Sequence, residues 1–228
     1  MRLGLIARSQ TISTLKKFFD TIKRPDLKST IPKLPLKAVY INYFMNVLQS
    51  LAREQGSDRF LEKTPQHLYH IPLIEQYVPG GQFIHLFRNG TDVVASLYEV
   101  THRYPKRWHG AWDIDTCIEY WSDIVRLSQT YLNRPNHRAV RYEKLLQDPQ
   151  GCLQQICQFL NLEYTEALIE NYHQSSQFLI NKTSRKVHSQ IRDINTASQK
   201  FNSLFDDSQR EYIIQKVSQV DLDTIPFL

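Results

Sequence analysis

With 228 residues, 41% of them hydrophobic and 22% charged, the chain can bury a sizeable core, which excludes a disordered class. It contains no run of about eighteen apolar residues and no apolar signal-peptide core, so a cytoplasmic protein without a transmembrane segment is expected. The net charge of +5 is uneven: between Lys16 and Lys37 lie seven basic residues against Asp20 and Asp26. That balance suits a polyanionic partner, such as a phosphorylated cofactor, an acidic membrane or nucleic acid, and equally a solvated surface. Cys117, Cys152 and Cys157 have neither zinc-ligand nor C-x-x-C spacing and predict buried packing residues, not a disulfide or a metal site.

Along the chain, residues 1–38 are short apolar pieces broken by Pro25, Pro32 and Pro35. They predict an irregular basic leading segment ahead of one domain over 39–228. Tyr40, Tyr43, Phe44, Val47, Leu48 and Leu51 fall at helical spacing before Gly56. In "EKTPQHLYHIPLIEQYVPGG", Thr64 is the expected N-cap and Pro65 the first helical residue, Pro72 splits the helix, and Pro79-Gly80-Gly81 ends it. "QFIHLF" predicts a buried strand and Arg88-Asn89-Gly90 a tight turn. Thr91 or Asp92 then caps a helix with Val93, Val94, Leu97 and Val100 inward. A helix follows at "CIEYWSDIVRLSQTYL", then a strand ending near Tyr142 and a helix in "DPQGCLQQICQFLNL" with Leu153, Ile156, Cys157 and Leu160 inward. Near the C-terminus "SQREYIIQKVSQV" predicts a helix with Ile213, Ile214 and Val217 inward. Strands alternating with helices predict an α/β fold, a parallel sheet flanked by helices on both faces.

In such sheets ligands bind beyond the carboxyl ends of the strands, where a starting helix presents unpaired N–H groups and the positive end of its dipole. Arg88 stands at that edge with a planar, permanently charged fork suited to phosphate oxygens, and Ser96 lies on the helix behind it. Lys63, just ahead of another expected helix start, makes a second candidate anion site. Each has a plain alternative: Arg88 pairing with a carboxylate, Ser96 on a polar flank with Asp92 and Glu99, and Lys63 as a solvated lysine.

"EKTPQH", "FIHLFRNGTDVVASL" and "VRYEKLLQDPQGCLQQICQFLNL", in that order, resemble the sulfotransferases that use 3′-phosphoadenosine 5′-phosphosulfate (PAPS), especially the bacterial branch related to tyrosylprotein sulfotransferases. The resemblance covers roughly residues 40–165. It implies a P-loop-NTPase-like sulfotransferase fold and transfer of a sulfuryl group from PAPS to a hydroxyl or amine acceptor, without a metal. By it, Arg88 and Ser96 would hold the 3′-phosphate and Tyr142 would lie near the adenosine. Lys63 would stabilise charge on the oxygen from which the sulfuryl group departs. As in phosphoryl transfer, the chemistry rests on in-line positioning and charge neutralisation.

The family opens with a strand and a loop resembling Pro-Arg-Ser-Gly-Thr-Thr that wraps the 5′-phosphate in backbone N–H groups. None of the seven glycines here lies in such a loop; in the closest string, "LGLIARSQTISTL", Gln10 stands where the glycine belongs. The resemblance therefore implies a domain truncated at its N-terminus, with no position assigned to the general base. Two further readings stay open: a catalytically inactive fragment or pseudoenzyme that binds nucleotide or scaffolds a partner, and a nucleic-acid-binding protein. The second is not expected, since no helix-turn-helix, zinc-finger or RNA-binding signature occurs. The resemblance makes Lys182, Arg185, Lys186 and Lys200 candidates for a basic C-terminal loop folded over the nucleotide, and a solvated surface loop is the stronger plain reading.

Overall fold

The structure, a computed structural model, describes residues 8–171 and 194–228. The chain divides into two compact units, Met1–Gly81 and Gln82–Leu228.

The first unit contains α1 (Arg8–Thr21), a 3-10 turn at Pro25–Thr30, α2 (Lys37–Glu54), a second 3-10 turn at Pro65–His70, and α3 (Ile71–Tyr77). The irregular segment expected over residues 1–38 is corrected over Arg8–Thr21, which is helical. Ile12, Leu15 and Phe19 recur at steps of three and four residues, so α1 is amphipathic, and Leu15 and Phe19 bury against Tyr40 and Val47 of α2. Phe18 meets Phe44 edge-on at 5.4 Å. The prolines all follow α1, Pro25 opening the first 3-10 turn, so they delimit the helix without interrupting it. Ser9, Gln10 and Thr11, the string nearest to a phosphate loop, are helical residues of α1. Part of the basic excess is paired within the unit: Arg24 with Asp26 at 2.9 Å and Glu54 at 2.6 Å, and Lys28 with Asp20 at 2.5 Å. Pro72 is the second residue of α3, in the first turn, where a missing N–H leaves no helix bond unmade. Thr64 does not cap: its hydroxyl donates to Glu62 Oε1 at 2.6 Å.

The second unit runs β1 (Phe83–Phe87), α4 (Gly90–Arg103), α5 (Pro105–Trp108), α6 (Ile114–Gln129), β2 (His137–Arg141), α7 (Tyr142–Gln147), α8 (Pro149–Leu160), α9 (Ala167–Glu170), α10 (Ile194–Leu204) and α11 (Asp207–Val217). β1 and β2 pair in parallel, from Phe83 opposite His137 to Phe87 opposite Arg141. On the other side of β2, Phe227 bridges Ala139, and Leu228 N donates to Ala139 O at 3.0 Å. One core joins Phe87, Val94, Ala95, Trp121 and Ala139 to Phe201 and Phe205 of α10 and Ile213 and Val217 of α11.

This is the α/β architecture expected, with two corrections. Among the described residues the sheet has two strands and is not covered on both faces: His85 and Phe87 are buried, whereas Ile84 and Leu86 are 37% and 57% exposed. An apolar strand of five residues reads alike whether one face or both are covered, and packing decides between them. Ile214, expected inward, is half exposed, because Ile213 and Val217 fill the inner face one turn apart. All three cysteines are free and buried, and burial pushes the Cys117 thiol up to about 12, with Asp113 adding to the effect. No helix of the described residues is long and apolar enough to cross a membrane.

Candidate functional site

Parallel register brings the ends of β1 and β2 together. Phe87 is paired with Arg141, so the next residue on each strand, Arg88 and Tyr142, arrive side by side. The Arg88 guanidinium lies 5.0 Å from the centre of the Tyr142 ring, a cation–π contact that also restricts its swing. Its Nη2 donates to Asp92 Oδ2 at 3.3 Å, and its Nε is buried with no acceptor among the described residues. A buried, charged donor left without a partner is costly, and it marks where an anion would be welcome.

The turn is held from three sides. Trp121 Nε1 of α6 donates to Arg88 O at 3.2 Å. Asn89 N donates to Glu143 Oε1 at 2.8 Å, and the second carboxylate oxygen of Glu143 is buried 3.8 Å from Arg141 Nε. Gly90 lies against the indole face of Trp121, where a Cβ would stand 2.8–2.9 Å from three ring carbons. The cap of α4 is Asn89, not Thr91 or Asp92: its Oδ1 accepts from Thr91 N at 3.1 Å and Thr91 Oγ1 at 3.0 Å. Asn89→Ala is expected to cost about 1 kcal/mol, read as a lower urea midpoint at unchanged slope, with Asn89→Asp close to the parent.

Ser96 is half-buried one turn beyond Asp92 on the same side of α4, and its hydroxyl makes no hydrogen bond among the described residues. The site therefore gathers Arg88, Asp92 and Tyr142 around the N-terminus of a 14-residue helix, with Ser96 along its flank. Guanidinium, hydroxyl and helix N-terminus are groups that favour an anion, and the carboxylates of Asp92 and Glu143 at the same turn oppose one.

Comparison with known proteins shows the family. The model of the Sulfotransferase family matches residues 17–166, about two thirds of the chain. The chain belongs to the sulfotransferase family. A Caenorhabditis briggsae protein that carries the provisional name of protein-tyrosine sulfotransferase is 24% identical over 116 residues, covering 50% of this chain and 41% of that protein. An uncharacterized protein of Aquifex aeolicus (strain VF5) is 23% identical over 141 residues, or 57% of this chain and 17% of its own length. The matched stretch thus spans less than half of either relative. Among solved structures, the sulfotransferase domain from the curacin biosynthetic pathway superposes with a TM-score of 0.55 at 20% identity, covering 95% of this chain and 81% of that one; this likeness is one of fold.

In this sulfotransferase-family chain Lys63 belongs to the first unit, where it is exposed and makes no ion pair among the described residues. Its neighbours form a pair the sequence reading did not assign: His67 Nδ1 lies 2.6 Å from Glu62 Oε2, while Glu62 Oε1 accepts from Thr64. The 3-10 turn at Pro65–His70 brings residues 62 and 67 together, whereas a fully extended chain would hold them apart. Of the C-terminal basic candidates, Lys200 is ion-paired with Glu99 of α4, and Lys182, Arg185 and Lys186 lie outside the described residues. Among the described residues no group of three or more His, Cys, Asp and Glu is placed to hold a metal.

Proposed function

We propose that the chain carries the nucleotide-binding part of a PAPS-dependent sulfotransferase, acting on a hydroxyl or amine acceptor. The single observation that carries this reading is the unsatisfied, buried Arg88 Nε beside the N-terminus of α4, in a chain of the sulfotransferase family. Asp92 takes only Nη2 of the guanidinium, so Nε is left to donate to a phosphate oxygen. In this reading Arg88 and Ser96 hold the 3′-phosphate, and Tyr142 keeps Arg88 aimed and borders the adenosine. The nucleotide, when bound, supplies an activated sulfuryl group on a phosphate leaving group.

The test is thermal stabilisation by adenosine 3′,5′-bisphosphate against AMP at equal concentration, because a ligand of the folded state raises apparent stability by mass action. A shift selective for the bisphosphate is expected, and it should fall in Arg88→Ala as affinity drops about tenfold or more. Equal shifts with AMP, or none in a folded chain, would overturn the 3′-phosphate assignment. If the bisphosphate binds but PAPS yields no sulfated product with phenolic or amine acceptors, the inactive, nucleotide-binding reading replaces the catalytic one.

A further inference from the structure

A cleft of about 460 Å³ in the second unit has no part in the nucleotide reading. Its walls are Tyr98 and His102 of α4, Trp112 and Asp113 ahead of α6, Asp115 in the first turn of α6, and Tyr212 of α11. At about 100° per helical residue, Tyr98 stands about 200° around α4 from Ser96, so the cleft and the anion-binding flank lie on opposite sides of that helix.

The wall chemistry is aromatic and acidic. Trp112 is fixed edge-on to Trp108 at 5.4 Å and tilted against Tyr120 at 5.2 Å, and Tyr98 packs edge-on to Phe205 at 5.1 Å. Their rings are therefore held in place before any ligand arrives. Asp113 accepts from Thr116 N at 2.7 Å, and hydrogen bonding from the Thr116 side chain first, and then from this backbone N–H, keeps its carboxyl below the ordinary range and hence charged. Asp115 accepts the Tyr212 hydroxyl at 2.6 Å, which pushes that phenol up, with Glu119 adding its charge. Among the described residues no lysine or arginine lines the cleft, in a chain of net charge +5. The His102 ring, 4.1 Å from that of Tyr98, donates from Nδ1 to Tyr98 O at 2.8 Å. From within the molecule, Lys216 Nζ already sits 5.4 Å from the Tyr212 ring centre, so this ring accepts a cation.

We propose that this cleft binds a small alkylammonium cation, its charge against the faces of Trp112, Tyr98 and Tyr212 and balanced by Asp113 and Asp115. The inference does not rest on the nucleotide reading.

The probe is choline, titrated into the full chain by calorimetry alongside dimethylbutanol, its uncharged carbon isostere. Saturable binding of choline and none of the isostere is expected. Asp113→Asn and Asp115→Asn remove charge while keeping an oxygen for the helix cap and for the Tyr212 hydroxyl, so the fold persists. Each is expected to weaken choline about fivefold, as for one unit charge at contact distance in water. Trp112→Ala should weaken it about tenfold. Equal binding of the isostere would reduce the cleft to an apolar recess and overturn the proposal. So would unchanged affinity in both aspartate variants, or no choline binding by a chain that still melts cooperatively.

Discussion

Trp121→Ala is expected to lower the stability of the second unit by about 3–5 kcal/mol and to abolish the bisphosphate-induced rise in melting temperature. Trp121 is 5% exposed at the centre of the core, and the same indole donates to Arg88 O and closes on Gly90. Removing it empties a cavity between α4 and α6 and also frees the carbonyl that fixes where Arg88 leaves β1. Gly90→Ala reports the same contact from the other side. Its Cβ would meet a rigid ring, so the indole must shift bodily, at about 1–3 kcal/mol. Urea unfolding followed by circular dichroism reads both, as a lower midpoint at constant slope. Trp121→Ala serves where it folds, and Gly90→Ala is the milder probe of the same coupling. A Gly90→Ala chain with the parent's midpoint and bisphosphate response would show that indole and turn are not coupled.

Acid is the second large lever. His85 Nε2 and His137 Nδ1 lie 2.8 Å apart between the paired strands, with His85 8% and His137 0% exposed, and His137 stacked on Phe83 at 4.4 Å. One imidazole donates to the other, an arrangement that suits two neutral rings. Burial first, and then the charge of His137, pushes His85 down to about 4 from its ordinary 6.5. The unfolded chain therefore binds a proton there before the folded chain does. The stabilisation from a neutral His85 is complete above about pH 6.5 and is lost as pH falls towards about 4, a total of about 3 kcal/mol. Urea midpoints between pH 7.5 and about 4.5 should decline along this curve, and His85→Gln, which keeps a hydrogen-bonding group without a titration in this range, should flatten it. A decline of equal size in His85→Gln would assign the acid sensitivity to other groups.

Much of this was legible in the sequence because it is local. The strand and helix around Arg88, the strand ending at Arg141, the break before Pro72 and the helix from Lys37 each follow from periodicity and turn residues within a dozen positions. The anion role proposed for the Arg88 turn was read in the same local way, from a strand, an arginine and a helix start adjacent in the chain. The helix of Arg8–Thr21 was legible too, in the spacing of Ile12, Leu15 and Phe19, but it was masked by the three prolines that follow it.

What tertiary structure alone decided is which distant residues meet that local frame. Trp121, 33 positions from Arg88, and Glu143, 54 positions from Asn89, have nothing in their own surroundings that marks them as turn-holding groups; they become so because α6 and α7 pack where β1 ends. The Arg88–Tyr142 contact depends on parallel register, and a slip of one residue would turn the side chains of β2 to the opposite face. Burial likewise separates two alternating positions of one strand, closing over Phe87 and leaving Leu86 exposed. The sequence by itself determined the elements and the charge at their junctions, because backbone preference and side-chain spacing act over a few residues. Only the fold decided the pairing, the orphaned Arg88 Nε and the aromatic cleft, because each needs groups that the chain brings together across long separations.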